Sequence, residues 1–235
     1  MKIVAIVPTL NEKNNIENLV FKLNKLKIKI TILFIDDNST DGTKEQITKL
    51  SKKYKNLKYI FRPKRLGIGS AHKCGFKWAK RNKFNICVTL DADMTHNPKL
   101  INKMLNLSKN KNYEIVSTTR FKLKSSLKSW PFFRIIITKL RFYLVKSLLK
   151  TNFDSSGGFR LYNLKKIKIQ DLFISKNNSY FYLIESMFFL EKLNYKIFEI
   201  PIMLPYRIYG SSKMRLKDII SSLTNLIKLK FYKFN

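Results

Sequence analysis

Short apolar runs alternate with amphipathic stretches through the first half of the chain. Lys2–Pro8 (KIVAIVP) has the continuous apolar character of a buried strand, and the periodicity from about Asn14 to Leu26 predicts a helix. The order then repeats. Strands are predicted at Ile30–Asp36 (ITILFID), Leu57–Arg62 (LKYIFR), Asn85–Asp91 (NICVTLD) and Tyr113–Thr119 (YEIVSTT). Helices are predicted between them at about Thr43–Tyr54, Ser70–Arg81 and Pro98–Lys109. Such alternation predicts βαβ units, hence an α/β fold with a mostly parallel sheet flanked by helices. Right-handed crossovers bring the carboxyl ends of the strands to one edge, where sheets of this kind bind ligands.

The second half changes character. Trp130–Lys150 (WPFFRIIITKLRFYLVKSLLK) is heavily apolar, yet Arg134, Lys139, Arg141 and Lys146 interrupt it. Each cation near the centre of a bilayer would cost roughly 2.5–3.5 kcal/mol, so a spanning helix is not expected. Two readings stay open: an amphipathic helix lying in the membrane interface, or a core helix. No uncharged apolar segment of about 18 residues occurs anywhere in the chain, and no transmembrane helix is expected. Downstream, Arg207 and Lys213 bracket Gly210 and two serines, either as a phosphate-clamping loop or as an ordinary basic surface loop.

Charge sharpens the question of partners. The chain has 47 Lys+Arg against 15 Asp+Glu, a formal charge of +32. Nucleic-acid binding is the plain reading of such a balance. The lysines, however, are spread along the whole chain, and Asn, Ile and Lys are abundant together, as an AT-rich genome favours. An anionic membrane surface or an anionic substrate accounts for the charge equally. Cys74 and Cys87 are isolated and read as reduced thiols of a reducing compartment. Met1 leads directly into the first strand, which is too short for a signal peptide.

Candidate chemistry gathers at the predicted strand ends. The first strand leads to Pro8-Thr9-Leu10-Asn11-Glu12, the second to Asp36-Asp37-Asn38-Ser39-Thr40-Asp41-Gly42, the third to Arg62 through Gly69, and the fourth to Asp91-Ala92-Asp93. Asp91 and Asp93 alternate, so both reach the same rim only if the backbone turns there. Their repulsion calls for compensation. A divalent cation bound through carboxylate and phosphate oxygens would supply it. Thr95 or Asn97 could instead cap the helix near Pro98, which leaves the two aspartates unexplained. The Asp37–Thr48 stretch opens like a calcium loop but has Thr48 where a bidentate Glu is needed, and calcium is rejected. A turn with a helix cap accounts for that loop, and Asp37 accepting hydrogen bonds from a base or ribose is compatible with it. Gly67 and Gly69 lack the third glycine of a dinucleotide fingerprint, since His72 stands in its place. His72 and His96 are too few and too separate for a histidine metal cluster and read as structural.

Taken together, these segments resemble family 2 glycosyltransferases of GT-A (Rossmann-like) fold, specifically the dolichyl- or polyprenyl-phosphate mannose synthase group. The matching stretches are IVPTLNEKNNI, FIDDNSTDGT, RLGIGSAHKCGF, LDADMTHNP, TTRF, WPFFR, DSSGGFRLYN and EIPIMLPYRIYGSSKM. Their order and spacing cover nearly the whole chain. The resemblance implies one domain over residues 1–235, with a nucleotide-sugar half (1–120), an acceptor and membrane-interface half (121–235), C-terminal amphipathic interface helices and no transmembrane domain.

The resemblance also implies site roles. Pro8, Leu10, Glu12, Ile35 and Asp37 would surround the nucleoside, with Ala92 and Thr95 also on the nucleotide-sugar side. Asp91 and Asp93 would hold Mg²⁺ or Mn²⁺ and the diphosphate. Arg120, Arg207 and Lys213 would hold donor phosphates, and Arg134 would meet the acceptor phosphate. Leu10 stands where many relatives have Tyr, so stacking is lost there. Thr95 stands where some relatives have a metal-ligating Gln, which leaves its part in coordination open. The implied activity is inverting transfer of mannose from GDP-mannose to a polyprenyl phosphate by a peripheral protein on the cytoplasmic face of a membrane. Small membrane-anchoring partner proteins are a further expectation. UDP-glucose as donor is the sister reading. A basic nucleic-acid or membrane-binding module without catalysis is the reading from another class, and nucleic acid is not expected as a partner.

Overall fold

The structure is a computed structural model that describes residues 1–205 and 216–232. Its strands are β1 (Ile3–Thr9), β2 (Ile30–Asp36), β3 (Leu57–Phe61), β4 (Ile86–Thr89), β5 (Ile115–Thr119), β6 (Arg160–Asn163) and β7 (Ile197–Pro201). The helices are α1 (Lys13–Asn24), α2 (Thr43–Lys53), α3 (Ile68–Arg81), α4 (Leu100–Asn110), α5 (Phe132–Leu149), α6 (Tyr182–Lys192) and α7 (Leu216–Lys230). They build one seven-stranded sheet in the order β3-β2-β1-β4-β6-β5-β7. All pairings are parallel except those of β6, which runs antiparallel to both β4 and β5.

The five strands predicted from the first half are present. The strand order differs from a simple succession because β6 is inserted between β4 and β5. Strand β4 also stops at Thr89, two residues before Asp91. The Leu90 amide still donates to the Ile6 carbonyl at 3.2 Å, and the chain then turns, with Met94 at φ 65° in the left-handed region. That turn carries Asp91 and Asp93 out of the strand and onto the rim.

Alternation along β1 divides the core. Ile3, Ala5 and Val7 pack with α1, α2 and α4 on one face, while Val4 and Ile6 pack with α3 on the other. Helix α3 approaches so closely that a Cβ on Gly75 would lie 2.4 Å from Ile6 Cγ2. A third cluster joins α5 to α6 and α7 through Val145, Leu149, Phe181, Ile184, Phe188, Leu226 and Leu229.

Helix α5 settles one of the open readings. Only Thr138, Val145 and Leu149 are buried in it. Phe132, Phe133, Leu140 and Tyr143 are largely exposed, as are Ile220 and Ile227 on α7 and Phe231 just after it. It is therefore not a core helix. Among the described residues, no helix is long and apolar enough to cross a membrane.

His72 is structural, as its isolation indicated. It is buried beneath α3, stacks on Tyr182 with ring centroids 5.7 Å apart, and its Nε2 has no hydrogen-bond partner. Burial, aided by the charge of Arg160, pushes its pKa from 6.5 down to about 3. Because the folded pKa is depressed, the neutral ring contributes stability above pH 6.5 that is lost as pH falls towards 3. Replacing His72 with Leu should remove a dependence of about 1.4 kcal/mol per pH unit in that window. Urea denaturation of both proteins at pH 7, 6 and 5 measures it; parallel stability profiles would contradict the assignment.

Candidate active site

The carboxyl ends of β1, β2, β4 and β5 open into a cavity of about 1140 Å³. Its floor is laid by side-chain to backbone hydrogen bonds in the strand-end loops. Asp36, fully buried, accepts from the Ser39 amide at 2.9 Å and from the Ser39 hydroxyl at 2.5 Å. Ser39 Oγ in turn accepts from the Asn11 amide at 2.8 Å, where the chain after β1 turns with φ 55°. Asp41 accepts from the Thr43 amide at 3.0 Å and the Lys13 amide at 3.1 Å, so it serves as the cap of α2 and a tie to α1.

Asp37 belongs to the cavity wall but is heavily engaged. It accepts from the amides of Leu66 (2.6 Å) and Gly67 (2.8 Å) and pairs with Arg62 at 2.8 Å. Three of its roughly four acceptor directions are thereby used. Its first structural role is to lock the loop between β3 and α3 against the end of β2. The glycines of that loop have a packing reason. Gly67 has φ 91°, and a Cβ there would lie 2.3 Å from the Asn178 carbonyl oxygen; one on Gly69 would lie 2.5 Å from Tyr182 Cβ. They admit the segment before α6. Glu185 orders that segment by accepting from Ser175 Oγ at 2.5 Å.

The turn after β4 presents both aspartates to the cavity. Asp93 is buried, and its Oδ1 accepts from the amide (3.1 Å) and hydroxyl (2.7 Å) of Thr95. Thr95 thus orients Asp93, while Asn97 accepts from the Lys99 amide at the entry to α4. Asp91 is about one-third exposed. Its backbone amide donates to His96 Nδ1 at 3.1 Å, a bond that a protonated imidazolium could not accept. The 3.9 Å approach of that nitrogen to Asp91 Oδ2 is therefore not an ion pair. His96 itself is buried against Phe159. Gly158 leaves space beside Asp91, since a Cβ there would lie 3.4 Å from Oδ1.

A second, basic cluster lines the same cavity. Arg120, at the end of β5, donates from Nε (3.0 Å) and Nη2 (2.8 Å) to the buried Asp154 and from Nη2 to Ser156 Oγ (2.5 Å). Burial opposes the charge of Arg120, but Asp154 outweighs it and raises the pKa above the ordinary arginine value. Burial likewise opposes the charge of Asp154, and Arg120 holds its pKa below the ordinary carboxylate value. Arg134 lies 4.3 Å over the Trp130 ring. Arg141 donates to Ser156 Oγ at 3.3 Å.

Pro8, Leu10, Glu12, Asp37, Asp91, Ala92, Asp93, Thr95, Arg120 and Arg134 thus all line one cavity. Ile35 corrects the expectation for the nucleoside site. Its side chain is fully buried in the cluster beneath α3 and does not reach the cavity, because alternation along β2 points it to the opposite side from Phe34. Arg207 and Lys213 lie outside the described residues. Arg62, Arg141, Asp154 and Ser156 were not picked out from sequence. The available signal for Arg141 was its spacing of seven from Arg134, two helical turns along one face.

The mostly parallel seven-stranded sheet, with its carboxyl-end loops lining one cavity, has the GT-A fold. The glucosyl-3-phosphoglycerate synthase of Mycobacterium tuberculosis, solved with uridine diphosphate, superposes with a TM-score of 0.68 at 13% identity, covering 100% of this chain and 82% of that one. The same synthase solved with Mn²⁺, UDP-glucose and phosphoglyceric acid gives 0.67 at 14% identity, covering 100% and 81%. The chain belongs to glycosyl transferase family 2, whose model matches residues 4–169. It is 31% identical to a dolichol-phosphate mannosyltransferase of Pyrococcus furiosus over 97% of this chain, and spans 64% of that relative's length. It is 25% identical to a polyprenol monophosphomannose synthase of Mycolicibacterium smegmatis, over 90% of this chain and 80% of the relative.

The buried pair yields a stability prediction. Asp154→Asn leaves the Arg120 guanidinium without its counter-charge and should cost about 3–5 kcal/mol. Asp91→Asn, at the partly exposed rim, should stay within about 0.5 kcal/mol of the parent. Chemical denaturation of both variants checks this; equal losses would show that the pair does not dominate.

Proposed function

We propose that the protein is an inverting, metal-dependent glycosyltransferase that moves mannose from GDP-mannose to a dolichyl or polyprenyl phosphate. The observation that carries this reading is the composition of the cavity lining. It combines the two carboxylates and the strand-end loops, the guanidiniums of Arg120, Arg134 and Arg141, and apolar residues of α5 and α7, Ile137, Leu140, Leu144, Leu223 and Leu226. A charged head joined to a hydrocarbon tail matches those surfaces. The names of the two curated relatives support mannose and a polyprenyl phosphate as the particular substrates.

Within this reading, residues 1–120 serve the donor and residues 121–235 the acceptor and the membrane interface. Pro8, Leu10, Glu12 and Asp37 flank the nucleoside, with Ala92 and Thr95 beside the diphosphate. Asp91 and Asp93 offer an all-oxygen donor set with room left by Gly158. That fits Mg²⁺ or Mn²⁺ retaining phosphate and water ligands. A bound divalent ion would supply neutralisation of charge on the departing diphosphate. Arg120 holds the donor phosphates, and Arg207 and Lys213 are assigned to the same task. Arg134 receives the acceptor phosphate.

The chemistry asks little of a general base. A phosphate monoester has its second pKa near 6, so it arrives ionised at neutral pH. One of its oxygens forms the new bond to the anomeric carbon while the bond to the diphosphate breaks and its electron pair leaves with GDP. Of the two imidazoles, His72 is buried away from the cavity and His96 already accepts from the Asp91 amide. Arginines held in place by Asp154 and Ser156 need no reorganisation as charge shifts towards the leaving group.

The exposed apolar residues of α5 and α7 are interleaved with Lys139, Lys146, Lys228 and Lys230. They form the face that lies in the cytoplasmic leaflet, where anionic headgroups attract cations. Flotation of the chain with anionic liposomes tests whether this face suffices without a small membrane-anchoring partner protein.

Radiolabelled GDP-mannose, Mg²⁺ or Mn²⁺ and a short polyprenyl phosphate should yield lipid-linked mannose. UDP-glucose in the same panel should give little product. Asp93→Asn should lower the rate on the order of 100-fold or more while the fold is retained. Full activity of that variant would contradict the metal assignment, and product from UDP-glucose alone would contradict the donor.

A further inference from the structure

The Arg141 guanidinium has five N–H donors and few protein partners. Among the described residues it makes one side-chain bond, 3.3 Å to Ser156 Oγ, and no carboxylate lies within 4.0 Å of it. Ser156 cannot be its counterpart. That hydroxyl is neutral, accepts a shorter bond from Arg120 at 2.5 Å, and directs its own proton to Asp154 Oδ1 at 3.1 Å. Asp154 is in turn committed to both ends of the Arg120 fork.

The neighbours of Arg141 add to its cost. Burial and the charges of Arg120 and Arg134 push its pKa down to about 10. A half-buried guanidinium beside two others, with Asp154 only partly offsetting their charge, is stabilised by an anion. The opening is in the right place for one. Arg134 and Arg141 are seven residues apart on α5, Thr138 lies between them, and all three line the cavity. Leu140 and Leu144 of the same helix line the cavity too, so an anion seated here has hydrocarbon surface next to it.

We propose that Arg141 is a second guanidinium of the acceptor subsite and that it selects a phosphate monoester by meeting its second negative charge alongside Arg134. This assignment rests on the glycosyltransferase reading for the identity of the acceptor, and its physical content is a saturable monoester site that exists without donor. The fork geometry of arginine suits two phosphate oxygens at once, which a lysine ammonium does not reproduce.

The test uses citronellyl phosphate, a short prenyl monoester, titrated calorimetrically into the full chain without nucleotide. Its monomethyl ester, with one negative charge, is the comparison ligand, and GDP with Mn²⁺ reports the donor side. In Arg141→Met, monoester affinity should fall about 10- to 100-fold, the range set by losing a charge-assisted bond. Affinity for the monomethyl ester should change by less than about threefold, and for GDP by less than about twofold, differences below 1 kcal/mol. If Arg141→Met does not fold, Arg141→Lys is scored on the ratio of monoester to monomethyl ester affinity, which should fall at least fivefold. An unchanged ratio, absence of monoester binding by the parent protein, or an equal loss of GDP affinity would overturn the proposal. Arg141-dependent binding of the monoester, in a protein that forms no lipid-linked sugar, would uphold the subsite and refute the transferase reading separately.

Discussion

The buried carboxylate of Asp154 is the constraint around which the second half of the molecule is arranged. It carries its charge at 1% exposure, and a charge so placed must be paired and hydrogen-bonded or it would not persist. Arg120 meets it with three bonds, one of them from its backbone amide, Ser156 with two, and the Asp154 backbone amide donates to Glu199 Oε1 at 2.5 Å. Glu199, whose pKa burial raises, is pinned on its other oxygen by Lys122 at 3.2 Å. These contacts tie the end of β5, the approach to β6 and strand β7, and they hold Arg120 in the lining of the cavity.

The same pairing explains how a chain of +32 charge builds a selective site. Most of its cations are solvated at the surface, where they steer anions without distinguishing them. Selectivity requires cations that have lost water and whose directions are held. Arg62 is held by Asp37, Ser70 Oγ and the Gly67 carbonyl; Arg120 is held by Asp154 and Ser156. The scarce acids are spent mostly on fixing such arginines and loops. Asp36, Asp37, Asp41 and Glu185 each order backbone around the cavity, which accounts for acid concentrated there in an otherwise basic chain.

Much of this was legible in the sequence, and the gaps have physical causes. Strands β1 to β5 and their helices announce themselves because their apolar periodicity is strong. Strand β6 does not, being four residues long with Arg160 at its head. The Arg160 guanidinium is fully buried; Nη1 donates to the Ser186 and Tyr162 hydroxyls and Nη2 to the Ser155 and Leu183 carbonyls, partners that no local pattern reveals, while Nε has none. Asp91 and Asp93 stood out because acid is rare. Arg141 could not stand out among 47 Lys and Arg until the cavity-facing side of α5 was known. Gly67 and Gly69 invited a phosphate-binding interpretation but answer to the close approach of Asn178 and Tyr182. That α5 is not a core helix turned on exposure, which composition alone does not determine.

The central claim is that an ionised lipid phosphate attacks the anomeric carbon directly, with arginines and carboxylates arranged around the departing diphosphate and no nucleophile supplied by the protein. The configuration of the product reports on that claim most directly. Mannose in GDP-mannose is α-linked, so a single displacement predicts a β-mannosyl phosphate, resolved by the one-bond carbon–proton coupling at the anomeric centre. An α-linked product would require a second displacement through a group on the enzyme and would contradict the account.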